Sequence, residues 1–357
     1  MQFKSSYIIA IIVIVIIIAA ATIYLTTRPT PTTTTPTPTA PKVWRWATSD
    51  PGSAGYAAHP WIVKVVAEYM PQYTHIILPT SSVVAAIKLF AKGDAEIGYG
   101  GNEFSMYQFY TFTGPFKDFK PEVKKWPALA LVFTMGYFHF VTTPEKAREI
   151  RSWKDLEGRN VFLGPSGYIV NLAMTFIFNK TGIHVHHVEV STSMVADALR
   201  KGTIDASVMY GGAVLSDWCN NVAVAMRLAV VNLSEDERNM LERLGFTTGA
   251  VDAKKFYTYD VGVDKIYALT IYVSDYAWLD IPENDIYTML KILEAHVDEL
   301  QHPEFELMRS MGFAKMQYNG VKELVGFGAG ALIHPGLAKY LKEKGMWEPA
   351  WDQWIAK

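Results

Sequence analysis

Cysteine is almost absent from this 357-residue chain, which holds only Cys219. A lone cysteine excludes an internal disulfide framework, and with no Cys-x-x-Cys spacing there is no thiolate zinc site. Cys219 is expected to be a small buried hydrophobe rather than a nucleophile. Excess charge is missing as well: 33 Lys and Arg stand against 35 Asp and Glu, a formal net charge of -2. No run of Lys or Arg is interleaved with aromatics, so nucleic acid is excluded as a partner. Nucleotide signatures are lacking too, because "GPSG" at Gly164 to Gly167 has no Lys-Ser/Thr after it and no G-x-G-x-x-G follows a strand. There is no Gly-x-Ser-x-Gly elbow, no zinc motif and no paired acid and base beside a candidate nucleophile. An α/β enzyme is therefore the least supported reading, and neither a cofactor nor a metal is expected.

What is present begins with an apolar run. Lys4 precedes Tyr7 to Leu25, a stretch that is almost wholly Ile, Val and Ala and carries no charge. It is just long enough to span a bilayer. Its Ala19-Ala20-Ala21 end also suits a cleavable signal peptide, whereas its length to Leu25 suits a retained anchor, the reading preferred here. Lys4 keeps the amino end cytoplasmic, so both readings export everything that follows. Residues 1-25 are read as anchor or signal segment and 26-41, rich in Thr and Pro, as a polyproline stalk. At about 3 Å per residue the stalk reaches up to roughly 50 Å.

From Lys42 onward, short apolar strands alternate with helical patterns, the rhythm of α/β structure. "VWRWAT" and "THIILPT" read as strands, and "SSVVAAIKLFAKG" as a helix ended by Gly93. "AEIGYG" leads into "NEFSMYQFY", and "NVFLGPSG" into "YIVNLAMTFIF". The turn "SDPGSAGY" leads into a helix at "HPWIVKVVAEYM", and "PENDIYTMLKILEAHVDELQ" is an amphipathic helix with Ile286, Met289, Leu290, Leu293 and Val297 on one face. Several Gly-, Ser- or Asn-rich strand-to-helix turns imply one site, because ligands of open α/β sheets bind beyond the carboxyl ends of strands.

Two segments, "REIRSWKDLEGRNVFLGPSG" and "ALRKGTIDASVMYGG", resemble signatures shared among periplasmic-binding-protein-like solute receptors. More specific are "AIKLFAKGDAEIGYGGNEFSMY", the "GPF" at Gly114 to Phe116, and "LIHPGLAKYLKEKGMW". Together they resemble the TAXI family, the solute-binding subunits of tripartite ATP-independent periplasmic (TRAP) transporters. The resemblance implies a type II periplasmic-binding-protein-like α/β fold, two α/β lobes with crossing hinge strands, behind the N-terminal transmembrane helix. Lobe 1 would comprise 42-140 and 251-357, lobe 2 141-250, with crossings near Gly136 to Thr143 and Ile266 to Ser274.

It implies an extracytoplasmic receptor that binds a small organic acid, such as an amino or keto dicarboxylate, and delivers it to TRAP-type permease subunits. The alternatives are the receptor of an ATP-driven (ABC) importer or a sensor. The implied ligand-binding loops supply Ser49, Ser53 and Tyr56; Thr80, Ser81 and Ser82; Asn102 and Glu103; Ser166, Gly167 and Tyr168; and Tyr210 with Gly212. Ser82 and Ser166 stand at helix starts, where a carboxylate gains hydrogen bonds and a favourable dipole, although a serine there is usually only a cap. "GYAAHP", "GNE" and "YIV" depart from the family pattern, which makes glutamate a weak expectation. Glu103 is a candidate for a ligand ammonium group. His184 and His186 are expected on a surface strand, and His334 as a structural residue of the "HPG" turn.

Overall fold

A computed structural model describes residues 42–51, 53–328 and 330–357. The expected membrane run and stalk lie outside those residues, and among the described residues no helix is long and apolar enough to cross a membrane.

Parallel strands β1 (Lys42–Thr48), β2 (Tyr73–Pro79) and β3 (Ile97–Gly101) alternate with helices α1 (Ala54–Tyr69), α2 (Val83–Ala91) and α3 (Glu103–Thr111). A long strand, β4 (Pro127–Thr142), then leaves this unit. Beyond it come β5 (Asn160–Phe162), α4 (Ile169–Thr181), β6 (His186–His187), α5 (Val195–Lys201), β7 (Ala206–Gly211), α6 (Asp217–Ala225), β8 (Ala229–Val231), α7 (Glu235–Arg243) and β9 (Thr247–Asp252). A second long strand, β10 (Lys265–Trp278), returns, and α8 (Glu283–Ala295), α9 (Glu306–Met311), α10 (Phe313–Phe327) and α11 (Pro335–Glu343) close the chain. The sheet order is β2-β1-β3-β10-β4-β7-β5-β6, with β8 beside β4 and β9 beside β10.

The two long strands divide the hydrophobic interior. Leu129 to Phe133 of β4 and Tyr272, Val273, Tyr276 and Ala277 of β10 pack into a first core with Trp46, Phe90, Ile286, Met289 and Leu290. Farther along, Phe138 and Phe140 face one side of a second unit with Leu269 and Ile271, while Val141, Ile266 and Ala268 face the other. Side chains alternate across a strand, so one pair of strands serves both faces of the second unit. Sixteen residues of β4 extend over about 50 Å, enough to run through both cores. The crossing expected near Gly136 to Thr143 is thus the second half of one strand that begins at Pro127, because no polar turn interrupts its burial.

Two boundaries differ from expectation. Val251, Ala253, Phe256, Tyr257 and Val261 pack in the second core, so the chain stays there past residue 251 and crosses back only along β10. The first helix starts at Ala54, not after Tyr56, because the Ser53 side chain accepts the Tyr56 amide. Gly55 lies against Tyr99, where a Cβ would stand 2.6 Å from the ring, so only glycine lets this helix end approach β3.

The closing "HPG" is structural, as expected. His334 Nδ1 accepts the Gly336 amide, Nε2 donates to the Ile281 carbonyl, and Pro335 occupies the first turn of α11. Met289, Met308 and Met316 are fully buried core residues. Cys219 is buried, accepts the Tyr210 amide through sulfur and has its thiol pushed up to about 12 by burial, which leaves it inert.

Candidate ligand-binding cavity

A cavity opens where β4 and β10 pass from one core to the other, and all three parts of the chain line it. The first unit contributes Ser49 and Ser53 from the turn before α1, Val83, Tyr99 and Glu304. The crossing strands contribute Thr134, Met135, Gly136 and Phe138 of β4 and Val273 of β10. The second unit adds Tyr168, Ile169 and Val170 at the start of α4, and Tyr210, Gly211, Gly212 and Ser216 after β7. The space between these walls, open solvent at the mouth included, is about 590 Å³. The pairing of β10 with β4 shifts register beside the cavity, between Val273 and Ser274. Such bulges bend strands and often sit beside ligand sites.

Aromatic rings dominate the walls. Phe138 and Tyr210 stack at 5.2 Å with 14° between their planes, and the Trp218 indole donates to the Tyr210 hydroxyl at 3.2 Å. Tyr99 is buried between the cavity and His59, whose ring meets it edge-on at 6.0 Å. His59 is itself fully buried and donates through Nε2 to Asp275 Oδ1 at 3.0 Å and through Nδ1 to the Gly55 carbonyl. Burial works against its charge, yet Asp275 and the Gly55 carbonyl outweigh it and raise the imidazole above its usual range. The pair lies behind the wall, outside the cavity lining.

Among the lining residues one bears a carboxyl group, Glu304, and none is Lys, Arg or His. Glu304 lies in the turn Pro303–Phe305, where Thr134 Oγ1 donates to its carbonyl at 2.7 Å and stands 3.3 Å from its Oε2. Burial holds its carboxyl above the ordinary range, and Asp217 adds to the effect against the Thr134 hydrogen bond. Across the mouth, the Tyr168 hydroxyl of the second unit donates to Asp50 Oδ2 of the first at 2.7 Å.

The expected site residues separate into two groups. Ser49, Ser53, Tyr168, Tyr210 and Gly212 line the cavity. The rest do not. Tyr56 lies in the first turn of α1, and Thr80 spends its hydroxyl on the Thr48 and Ser82 carbonyls. Ser81 is exposed, and Ser82 caps α2 by accepting the Ala85 amide. Asn102 caps α3 by accepting from Ser105. Ser166 is exposed and donates to Glu189 at 2.8 Å, which answers its hydroxyl within its own unit. Gly167 lies at the rim, with the position of its missing Cβ 3.3 Å from that of Ser82.

Glu103 is the clearest departure. Instead of facing a ligand it is fully buried, its carboxylate oxygens have no hydrogen-bond partner, and desolvation, with Glu323 nearby, drives its pKa well above the usual range. The residue begins α3, and that helix packs its first turn inward, as the burial of Phe104 and Ser105 beside it shows. His184 is 85% exposed and stands outside the strand expected to hold it, whereas His186 begins β6. Among the described residues no group of His, Cys, Asp or Glu is set to hold a metal ion.

Sequence reasoning missed Glu304, Thr134, Tyr99 and Asp50. A threonine inside the apolar run "ALALVFTMG" was the one local signal, since a buried strand residue with a hydroxyl needs a partner. Glu304 gave none, because it reaches the cavity from a segment far along the chain.

A profile of the NMT1-like family matches residues 48–345. Among curated proteins none matches the chain. Solved structures similar to it include the periplasmic aliphatic sulphonate binding protein of Escherichia coli, with 11% identity over 85% of this chain and 84% of that one and a TM-score of 0.42. A putative sulfonate ABC transporter's periplasmic binding protein from Methylobacillus flagellatus matches at 14% identity over 85% and 95%, with a TM-score of 0.46. The GluR0 ligand-binding core of Nostoc punctiforme, in complex with glutamate, matches at 14% over 74% and 99%, with a TM-score of 0.45.

Proposed function

We propose, since the chain belongs to the NMT1-like family, that it is an extracytoplasmic solute receptor which closes two lobes on a small organic molecule and passes it to a membrane importer. The observation that carries this reading is the cavity at the strand crossing, walled by both cores and bridged at its mouth by Tyr168 and Asp50. A ligand that touches both walls favours the closed arrangement by its differential contacts, and the crossing strands absorb the change. Export rests on Lys4 and the apolar run from Tyr7 to Leu25, which also supplies the membrane anchor in this reading.

Binding rather than catalysis is the role. The chemistry on offer is a set of hydroxyls, rings and one carboxylate, and the thiol of Cys219 is held protonated behind Tyr210. A TRAP-type permease as partner rests on the motif resemblance alone, and the same receptor architecture suits an ATP-driven importer. Genes beside this one that encode an ATPase favour the second; large permeases without one favour the first.

The test is ligand release and compaction. Mass spectrometry of small molecules freed from the purified full-length chain identifies the solute, and returning it to the stripped protein should raise the unfolding temperature and shrink the radius of gyration. A radius unchanged by a bound ligand removes the closure mechanism.

A further inference from the structure

The charge pattern of the cavity does not suit the small acid implied by the motifs. Its lining contains no Arg, Lys or His, and its only carboxyl group is that of Glu304. Asp50 accepts from Tyr168 at the mouth, and Asp217 is close enough to act on Glu304. A carboxylate ligand would therefore enter a site of its own sign, with like-charge repulsion in a partly desolvated space. A cation meets the opposite situation.

The walls add to this. Three aromatic residues line the cavity, Phe138 and Tyr210, whose rings stack on each other, and Tyr99. Ring faces carry negative quadrupole potential, and a cation placed over them within about 6 Å is attracted, most strongly when desolvated. Resting on the receptor reading above, we propose that the cavity recognises a small organic cation, with an ammonium nitrogen held against the Glu304 carboxylate and enclosed by Tyr99, Phe138 and Tyr210. Thr134 holds the Glu304 backbone by its hydrogen bond to the carbonyl and lies 3.3 Å from Oε2, so both the turn and the carboxyl group are positioned before the ligand arrives. The apolar lining from Val83, Ile169 and Val273 limits the cation's body to a compact or hydrocarbon one.

The experiment is calorimetric titration of the full-length chain and its Glu304→Gln variant with ethanolamine, choline and putrescine, with choline's neutral carbon isostere, and with glutarate. The expected result is that at least one ammonium compound binds, that the neutral isostere binds choline's site at least ten-fold more weakly or not at all, and that Glu304→Gln lowers affinity about 10- to 100-fold, the range of a charge-assisted hydrogen bond. The isostere comparison needs only the wild-type chain, so it stands if the variant fails to fold.

Glutarate binding without any ammonium compound overturns the cation and leaves the receptor standing. Ammonium binding untouched in a folded Glu304→Gln variant overturns the role of Glu304. If no compound of the panel binds, the charge of the molecule released from the purified chain decides: a cation supports the proposal, an anion or neutral solute overturns it. Failure of every compound, with nothing released, removes the receptor reading itself.

Discussion

The hydroxyl of Tyr168, at the start of α4, donates a 2.7 Å hydrogen bond to Asp50 Oδ2 in the turn after β1, and so joins the two units across the mouth of the cavity. The bond is charge-assisted but only partly buried, which places its net worth at about 1 to 2 kcal/mol. Tyr168→Phe deletes it and keeps the ring. Scattering from the ligand-free variant should show a larger mean radius than wild type, and ligand should leave it several-fold faster in stopped-flow measurements. Equal radii and equal off-rates would remove the latch role.

The two groups of expected serines and threonines make opposite predictions. Ser166 is answered by Glu189 outside the cavity, so Ser166→Ala should hold ligand affinity within about two-fold. Thr134 holds Glu304, so Thr134→Val should weaken binding by about five- to ten-fold while the unfolding temperature moves less. Calorimetry with the released ligand reads both, and a larger loss at Ser166 than at Thr134 would return the site to the α4 turn.

Glu103 and Glu323 predict an alkaline limit to stability. Burial raises both carboxyls, Glu323 to about 8 from a usual 4.5, and Glu103 also rises well above its usual range. A carboxyl raised in the folded state contributes stability that is complete below its unfolded value and is lost as pH rises through the folded one. The unfolding temperature should therefore decline across pH 4.5 to about 8 and beyond. Glu103→Gln, uncharged at every pH, should flatten that decline; an identical slope in the variant would show that Glu103 ionises without penalty.

Gly336 tests the "HPG" turn. A Cβ there would stand 2.5 Å from the Glu283 carbonyl, a backbone atom that cannot rotate aside, because α11 packs closely on α8. Gly336→Ala should destabilise the fold by about 1–3 kcal/mol in urea unfolding. Ligand affinity of the folded fraction should stay unchanged, since no residue of the turn lines the cavity; a selective loss of affinity would assign the turn a binding role.

Local signals carried well where they were dense. The spacing of Ile286, Met289, Leu290 and Leu293 marks α8, and all four are buried. Of the strand-to-helix turns, the one at Ser82 was legible as a cap; Ser53 and Asn102 were expected in the ligand site, and all three accept a backbone amide of their own helix. Those same caps were less informative about the ligand. A serine or asparagine at a helix start has a local use for its oxygen, and the sequence does not show which one is left for a solute.

The sequence by itself determined the alternating α/β order, the short apolar strands and the structural role of His334, because each follows from hydrogen bonds and periodicities within a few residues. Only the tertiary structure decided what the cavity is made of. Glu304, Thr134, Tyr99 and Tyr210 come from segments far apart in the chain, and their meeting depends on β4 and β10 running through both cores. The places of the carboxyl groups were decided the same way: whether one is buried in a core, as at Glu103, or lines a cavity, as at Glu304, depends on what packs over it, and long-range packing decides that.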